Sequence, residues 1–416
     1  MGFGRGMCLG LSFFLPFFEA VIEEALEGWE GGVKVEVDFT QPISSKKPSK
    51  SFSFVMKVTD LKFADNLGAP DPSEQRMQEL ADRLQAACKR WSLQISIKKT
   101  EILVQPVAGE KRHTGNLRPS PISINGQPLQ EVQEFRYLGG MISNDGSLDP
   151  EINLRIQRAG MVWGRLQGEV WQKGGLIAQT KMHLFRGAVL PALLYRAETW
   201  AVQKDQVYRL ESWCMARARQ ILRQPRTERM PDAAIRRVLG LSPIESLIRK
   251  ARLRWLGHVG RMGKERLPRQ LLFGHLAGDR PVGRPLLRWT DCVLSDFRQL
   301  GINEAEWQSL AANREEWRKL VQRGVKEVEE RQREEKEEKR AVRKGKKEGD
   351  FRCGAEGCKR SFLSERGLRI HMSRIYGKQP AKPPYVKKEI TKQGRVSEKG
   401  SLVLGCHVKQ ILAKYR

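Results

Sequence analysis
An apolar run from Met7 to Phe18 opens the chain and passes into a helix-like stretch ending near Leu26. Residues VKVEVDF (Val33–Phe39) then alternate apolar and charged positions, which predicts a strand with one wet face. A Pro/Ser/Lys loop fills 41–50, and a second strand leads into Phe63-Ala64-Asp65-Asn66. Asp71-Pro72-Ser73 signals a helix start, and the helix SEQRMQELADRLQAACKRW sets Met77, Leu80, Leu84 and Cys88 on one face. ISINGQPLQEVQEFRYLGGMIS reads as strand, turn, strand, with Asn125-Gly126 as the hairpin signal. From Asp149 to about Lys319 the period is helical and rich in tryptophan and arginine. There Val207, Leu210, Cys214, Ala218 and Ile221 form one side of a helix. Arg280–Trp289 interrupts this region with glycine and proline. Residues 320–350 carry 11 basic and 9 acidic side chains and almost no large apolar ones, so a charged helix or linker is expected, not a core element. There is no internal repeat.

Charge changes the picture. The formal net charge is +27, which calls for a polyanionic partner, RNA or DNA, held mainly through phosphates. Residues 1–105 hold 13 basic and 14 acidic side chains, residues 106–319 hold 35 and 21, and residues 351–416 hold 16 and 4. The basic surface therefore belongs to the middle and the tail. Of seven cysteines only Cys353 and Cys358 lie close together, which fits a reducing compartment better than a disulfide framework. The first apolar run imitates a secretory signal, but it lacks a small-residue cleavage site and Glu19, Glu23 and Glu24 follow at once. It is also too short to span a bilayer. The expectation is an intracellular protein, nuclear or cytoplasmic, with no membrane contact and no secretion.

Near the end, Cys353-x4-Cys358-x3-Phe362-x5-Leu368-x2-His371 has the spacing of a ββα zinc finger: a thiolate hairpin, two apolar core residues and a helical histidine. A fourth ligand is expected three to five residues after His371, and Tyr376 stands there. A phenol with a reference pKa of about 10 is a poor zinc ligand at neutral pH, so the site reads as weak or partial for zinc. The helix positions that would face bases are Ser364, Gly367 and Ile370. None can make a bidentate base contact, whereas Arg366, Arg369 and Arg374 can reach phosphates.

The Phe63–Asn66 turn carries one acid, Asp65, and an amide, Asn66. A lone aspartate after a strand is ordinarily a turn residue. Its surroundings change that reading. FADN is followed by a helix, by WSLQISIKKTE (Trp91–Glu101) and by FRYLGGMIS (Phe135–Ser143). In order and spacing these blocks resemble the reverse transcriptase of non-LTR, LINE-type (jockey-like) retrotransposons. GRGMCLGLSFFLPFFEAVIEEAL and the Trp/Arg-rich segments up to EWQSLAANREEWRKL resemble that family too, so the likeness covers nearly the whole chain.

The resemblance implies an α+β fold: a partial palm sheet at 1–105, a hairpin with a primer-grip-like element at 106–145, and a helical, basic thumb or connector at 146–319. A charged linker at 320–350, a zinc-finger-like module at 351–376 and a basic tail at 377–416 would follow. It implies that Asp65, with Asn66, is a vestigial catalytic site that would hold magnesium only if polymerase activity persists, that Lys99 lies near the incoming nucleotide, and that Tyr137, Leu138 and Gly139 hold the primer. Arg252, Arg254 and Arg261, with Arg249 and Lys250 around Trp255, are expected to contact nucleic-acid backbone. The competing reading makes Trp255, Val259 and Met262 a core stripe, the arginines a solvated face and His258 a packed histidine.

Two departures weaken the polymerase chemistry. The chain begins downstream of the palm strand that carries the family's first catalytic aspartate, and Asn66 replaces the second acid of the turn. The implied function is a truncated RNA-directed DNA polymerase remnant, inactive alone, that retains nucleic-acid binding. Activity would need the missing aspartate from elsewhere, such as another retroelement chain. The alternative is a zinc-dependent nucleic-acid or protein tether, dependent on Cys353, Cys358 and His371 and indifferent to Asp65.

Overall fold
A computed structural model describes residues 6–43, 54–63, 66–105, 122–223, 230–276, 287–345, 351–353, 358, 360–362 and 364–376. The fold is α+β, and the chain divides into two compact units, one reaching Val325 and the other starting at Lys326.

The first unit opens with α1 (Gly6–Leu26), which packs Val21 and Ala25 against Ala87 and Cys88 of a later helix. Strands β1 (Val33–Val37) and β2 (Phe54–Val58) pair antiparallel, as the alternation in VKVEV predicts. A short hairpin of β3 (Leu61–Phe63) and β4 (Asn66–Gly68) follows, then helix α2 (Glu74–Arg90). The Ser73 hydroxyl accepts from Arg76 N at 3.4 Å, and the fully buried Asp71 carboxylate accepts from Ser73 N at 2.6 Å. The α2 start is thus capped twice. Strand β5 (Glu101–Leu103) pairs in parallel with β8 (Gln130–Val132), around a tight hairpin of β6 (Ser123–Ile124) and β7 (Gln127–Pro128). Asn125 and Gly126 both sit at positive φ (53° and 71°), the conformation a two-residue Asn-Gly turn requires. Strands β9 (Glu134–Tyr137) and β10 (Gly140–Ser143) form the next hairpin.

Helices then dominate. Helix α3 (Asp149–Arg165) is followed by α4 (Ala178–Leu184) and α5 (Leu190–Leu193), which run together through one π-helical turn at Phe185–Val189. Next come α6 (Lys204–Ile221), α7 (Asp232–Leu239) and α8 (Ile244–Gly260). Helix α9 (Leu267–Leu272), strand β11 (Gly274–Leu276), α10 (Trp289–Leu300) and α11 (Trp307–Ala312) complete the order up to α12 (Arg314–Gly345). Strand β11 pairs with β1, giving a three-stranded sheet in the order β11-β1-β2. The expected boundary between residues 1–105 and the helical region is therefore bridged by main-chain hydrogen bonds. The expected face of α6 is buried at Leu210, Cys214, Ala218 and Ile221.

Two hydrophobic clusters make up most of the core, and α8 serves both. Ile244 and Ile248 join the first with α3 to α7, while Leu253, Leu256 and Val259 join the second with β1, α10, α11 and the start of α12. Trp317 lies directly on α8: its indole N–H donates to Leu253 O at 2.9 Å, and a Cβ on Gly257 would stand 2.3 Å from the indole nitrogen. Val321 and Val325 extend this contact, so the segment expected to be a charged linker begins as a core element. Its stripe of Trp317, Val321 and Val325 recurs every four residues among charged neighbours.

Where α8 passes between the clusters, Arg249 and Arg252 are buried around Asp296 of α10. Arg249 Nε donates to Asp296 Oδ1 at 2.9 Å and Arg252 Nη1 to Oδ2 at 2.6 Å. Glu245, Gln299 and the carbonyl of Trp200 accept further donors from the two guanidiniums. Arg252 was expected on a phosphate-contacting face. Its 5% exposure and its carboxylate partner place it in the interior instead. No described helix is long and apolar enough to cross a membrane.

Removing Asp296 strands two buried cations. Asp296→Ala is expected to lower unfolding stability by about 3–5 kcal/mol, the range for breaking a buried ion pair from one side. Urea unfolding followed by tryptophan fluorescence checks this, and a loss under about 1 kcal/mol would contradict it.

Candidate functional site
Two places gather the residues singled out by sequence: the β3–β4 and β9–β10 hairpins in the first unit, and the Cys/His cluster in the second. In the register of β3 and β4, Phe63 faces Asn66, so two residues join the strands. Those residues, Ala64 and Asp65, lie outside the described residues. Phe63 and Asn66 are exposed. Among the described residues, no group of three metal-binding side chains forms beside Asn66.

The β9–β10 turn touches this hairpin. Tyr137 is buried, and its hydroxyl donates to Leu61 O at 2.9 Å, across 76 positions of sequence. The turn itself, Leu138-Gly139, has both residues at positive φ (48° and 76°). Leucine rarely adopts that conformation, so surrounding contacts must hold it. Arg196 Nη1 donates to Tyr137 O at 3.1 Å, and Arg155 Nη2 donates to Gly139 O. Glu151, buried at the start of α3, accepts from Met141 N at 2.7 Å and from Arg155 Nε at 2.9 Å. The Arg155 guanidinium lies 4.8 Å from the Tyr195 ring centroid. A Cβ at Gly140 would stand 1.6 Å from Arg196 Nη1, so any larger residue there would displace that guanidinium from the turn. Burial lowers the Arg196 pKa from its usual value, and the Glu151 carboxylate opposes that shift. Sequence reading missed Glu151, Arg155 and Arg196. Charged residues on an amphipathic pattern give no sign that they point inward.

Lys99 is exposed at the end of a short 3₁₀ turn, Ile97–Lys99. Of the arginines expected at a phosphate surface, Arg254 is exposed on α8. Arg261 is half-buried and donates to Ala311 O at 2.7 Å, and burial lowers its pKa. His258 is exposed and lies beside Trp255, their ring centroids 5.4 Å apart.

In the second unit, β12 (Phe351–Arg352) and β13 (Ser361–Phe362) form a hairpin followed by α13 (Glu365–Tyr376). Cys353 N donates to Arg360 O at 3.0 Å, closing the hairpin around the two cysteines. The Ser364 hydroxyl accepts from Gly367 N at 3.2 Å at the helix start. Cys353 and His371 are buried, Cys358 is half-buried, and their ligand atoms all lie within 4.8 Å of one another. The Phe362 ring lies 4.8 Å from that of His371, centroid to centroid. Cys358 Sγ stands 3.4 Å from His371 Nε2. A tetrahedral zinc with ordinary bond lengths would hold such a pair about 3.6 Å apart. The Cys358–His371 separation is compatible with a shared small metal ion, and Cys353, Cys358 and His371 would hold it. The Tyr376 side chain lies outside the described residues. Arg366 is exposed, and the half-buried Arg369 pairs with Glu365 at 3.7 Å.

Burial, with a smaller contribution from Glu211, pushes Cys214 up to about 12, and burial also raises Cys88 and Cys292. They stay protonated at neutral pH and are poor metal ligands.

Tyr137→Phe keeps the ring and removes only the hydroxyl, leaving Leu61 O without that donor. The expected cost is about 1–2 kcal/mol of stability. Urea unfolding checks it, and faster amide exchange in β3 and β4 should accompany the loss.

The chain is similar to a transposon-derived protein of Caenorhabditis elegans, with 27% identity over 282 residues, covering 64% of this chain and 96% of that protein. No family model and no solved structure matches the chain. The likeness to the nematode protein supports a transposon origin.

Proposed function
We propose that this chain is a remnant of a non-LTR retroelement reverse transcriptase that binds nucleic acid without polymerase chemistry. The hydrogen bond from Tyr137 to Leu61 carries the reading. It joins the FRYLGG block to the strand leading into FADN, as expected if the first is a primer grip beside the second. The similarity to a transposon-derived protein supports the same origin. Asn66 argues against polymerization. An amide retains a carbonyl oxygen but no charge, and two-metal phosphoryl transfer relies on clustered carboxylates. The +27 charge supports a polyanion as partner.

The Cys353, Cys358 and His371 cluster favours a second reading, in which a metal-stabilised finger tethers the chain to nucleic acid. Ser364, Gly367 and Ile370 lack base-reading chemistry, so that binding would be set by phosphates and would not select sequence.

Primer extension on a primed RNA template with Mg²⁺ tests the first reading. Wild-type protein and Asp65→Ala are both expected to give no product. Extension by wild type that is lost in Asp65→Ala would overturn it. Binding in the same preparation should weaken by about 10³ or more between roughly 50 and 200 mM salt if about six phosphates are engaged. A binding loss confined to Cys353→Ser and His371→Ala would favour the tether. Tyr376→His supplies an imidazole at the expected spacing, and should raise zinc affinity about tenfold or more in chelator competition.

A further inference from the structure
Beside the metal cluster stands a donor that the spacing rules do not anticipate. Met372 follows His371 on α13 and is half-buried, and its thioether Sδ lies 3.5 Å from Cys353 Sγ. The Cys353 thiol donates to this sulfur; two sulfurs bound tetrahedrally to one ion lie about 3.8 Å apart, so a shift of a few tenths of an ångström brings both onto a shared ion. We infer that Met372 is the fourth donor of the Cys353–Cys358–His371 site and biases it toward a soft monovalent ion, copper(I), over zinc. The inference rests on the reading of that cluster as a metal site.

Two lines of chemistry carry the preference. A thioether is a neutral, polarizable donor that adds little to a zinc site, whereas thiolate and thioether sulfur together suit copper(I). Charge points the same way. Two thiolates, a neutral imidazole and a thioether carry two negative charges, so the copper(I) complex keeps one negative charge and the zinc complex none. Residues 351–376 hold six basic and two acidic side chains, an environment that favours the more negative complex.

The full chain is tested anaerobically with ascorbate present, using copper(I) competed against bicinchoninate and zinc competed against a chromogenic chelator. Met372→Leu keeps the bulk of the side chain and removes the sulfur. The expected result is a loss of copper(I) affinity of about tenfold or more, the scale on which even outer partners of a metal site act, with zinc affinity changed less than about twofold. Equal losses for both ions would mean that Met372 only packs, and would overturn the inference. So would unchanged copper(I) affinity. Cobalt(II) separates this failure from that of the underlying site. If the wild type shows thiolate-to-cobalt absorption that Cys353→Ser abolishes, the three-ligand site stands and only the role of Met372 falls. If the wild type binds no metal, both fall.

Discussion

The buried carboxylate of Asp296, held between Arg249 and Arg252, is the constraint on which the first unit depends. A hydrophobic helix could slide or rotate between two greasy clusters at small cost. Three charges with directional hydrogen bonds cannot, because every alternative position leaves a charge unpaired in a medium that solvates it poorly. The cluster sits where α8 leaves one core and enters the other, and Arg252 also reaches the carbonyl of Trp200. It thus fixes the register of α8 against α10 and against the segment after α5. Trp317, seated over Gly257, then has one place to go.

The β9–β10 hairpin uses the same device nearer the surface. Its turn holds a leucine at positive φ, a conformation that would relax in isolation. Arg155 and Arg196 donate to the carbonyls of Gly139 and Tyr137, and Glu151 accepts from Met141 N just beyond the turn. Tyr137 then ties the hairpin to β3. The Cys/His module differs in kind. Its small hairpin and single helix enclose little apolar surface, so a metal would contribute much of its folding energy.

Local signals in the sequence carried far. The Asn125-Gly126 turn, the buried face of α6, the β1 alternation and the cysteine spacing all follow from rules spanning fewer than about twenty residues. What stayed hidden depended on partners distant in sequence. Arg252 lies in a strongly basic chain, and nothing local to it reveals Asp296, 44 positions away. The valines at 321 and 325 were masked by lysines, arginines and glutamates that give α12 a polar average. Met372 escaped because a search for metal ligands weighs histidine and cysteine at set spacings, and a methionine next to a histidine resembles packing. The bridging of β1 by β11 had no local trace at all.

That last pairing bears on how the chain is made. Val35 meets Leu276, 241 positions later, and β1 lies in the middle of its sheet. At about 5–20 residues per second of synthesis, β1 waits on the order of 10–50 s for its second neighbour, with one edge open beside β2. During that interval β1 lacks one of its two neighbours, and an unpaired strand edge is the kind of surface through which nascent chains misassociate.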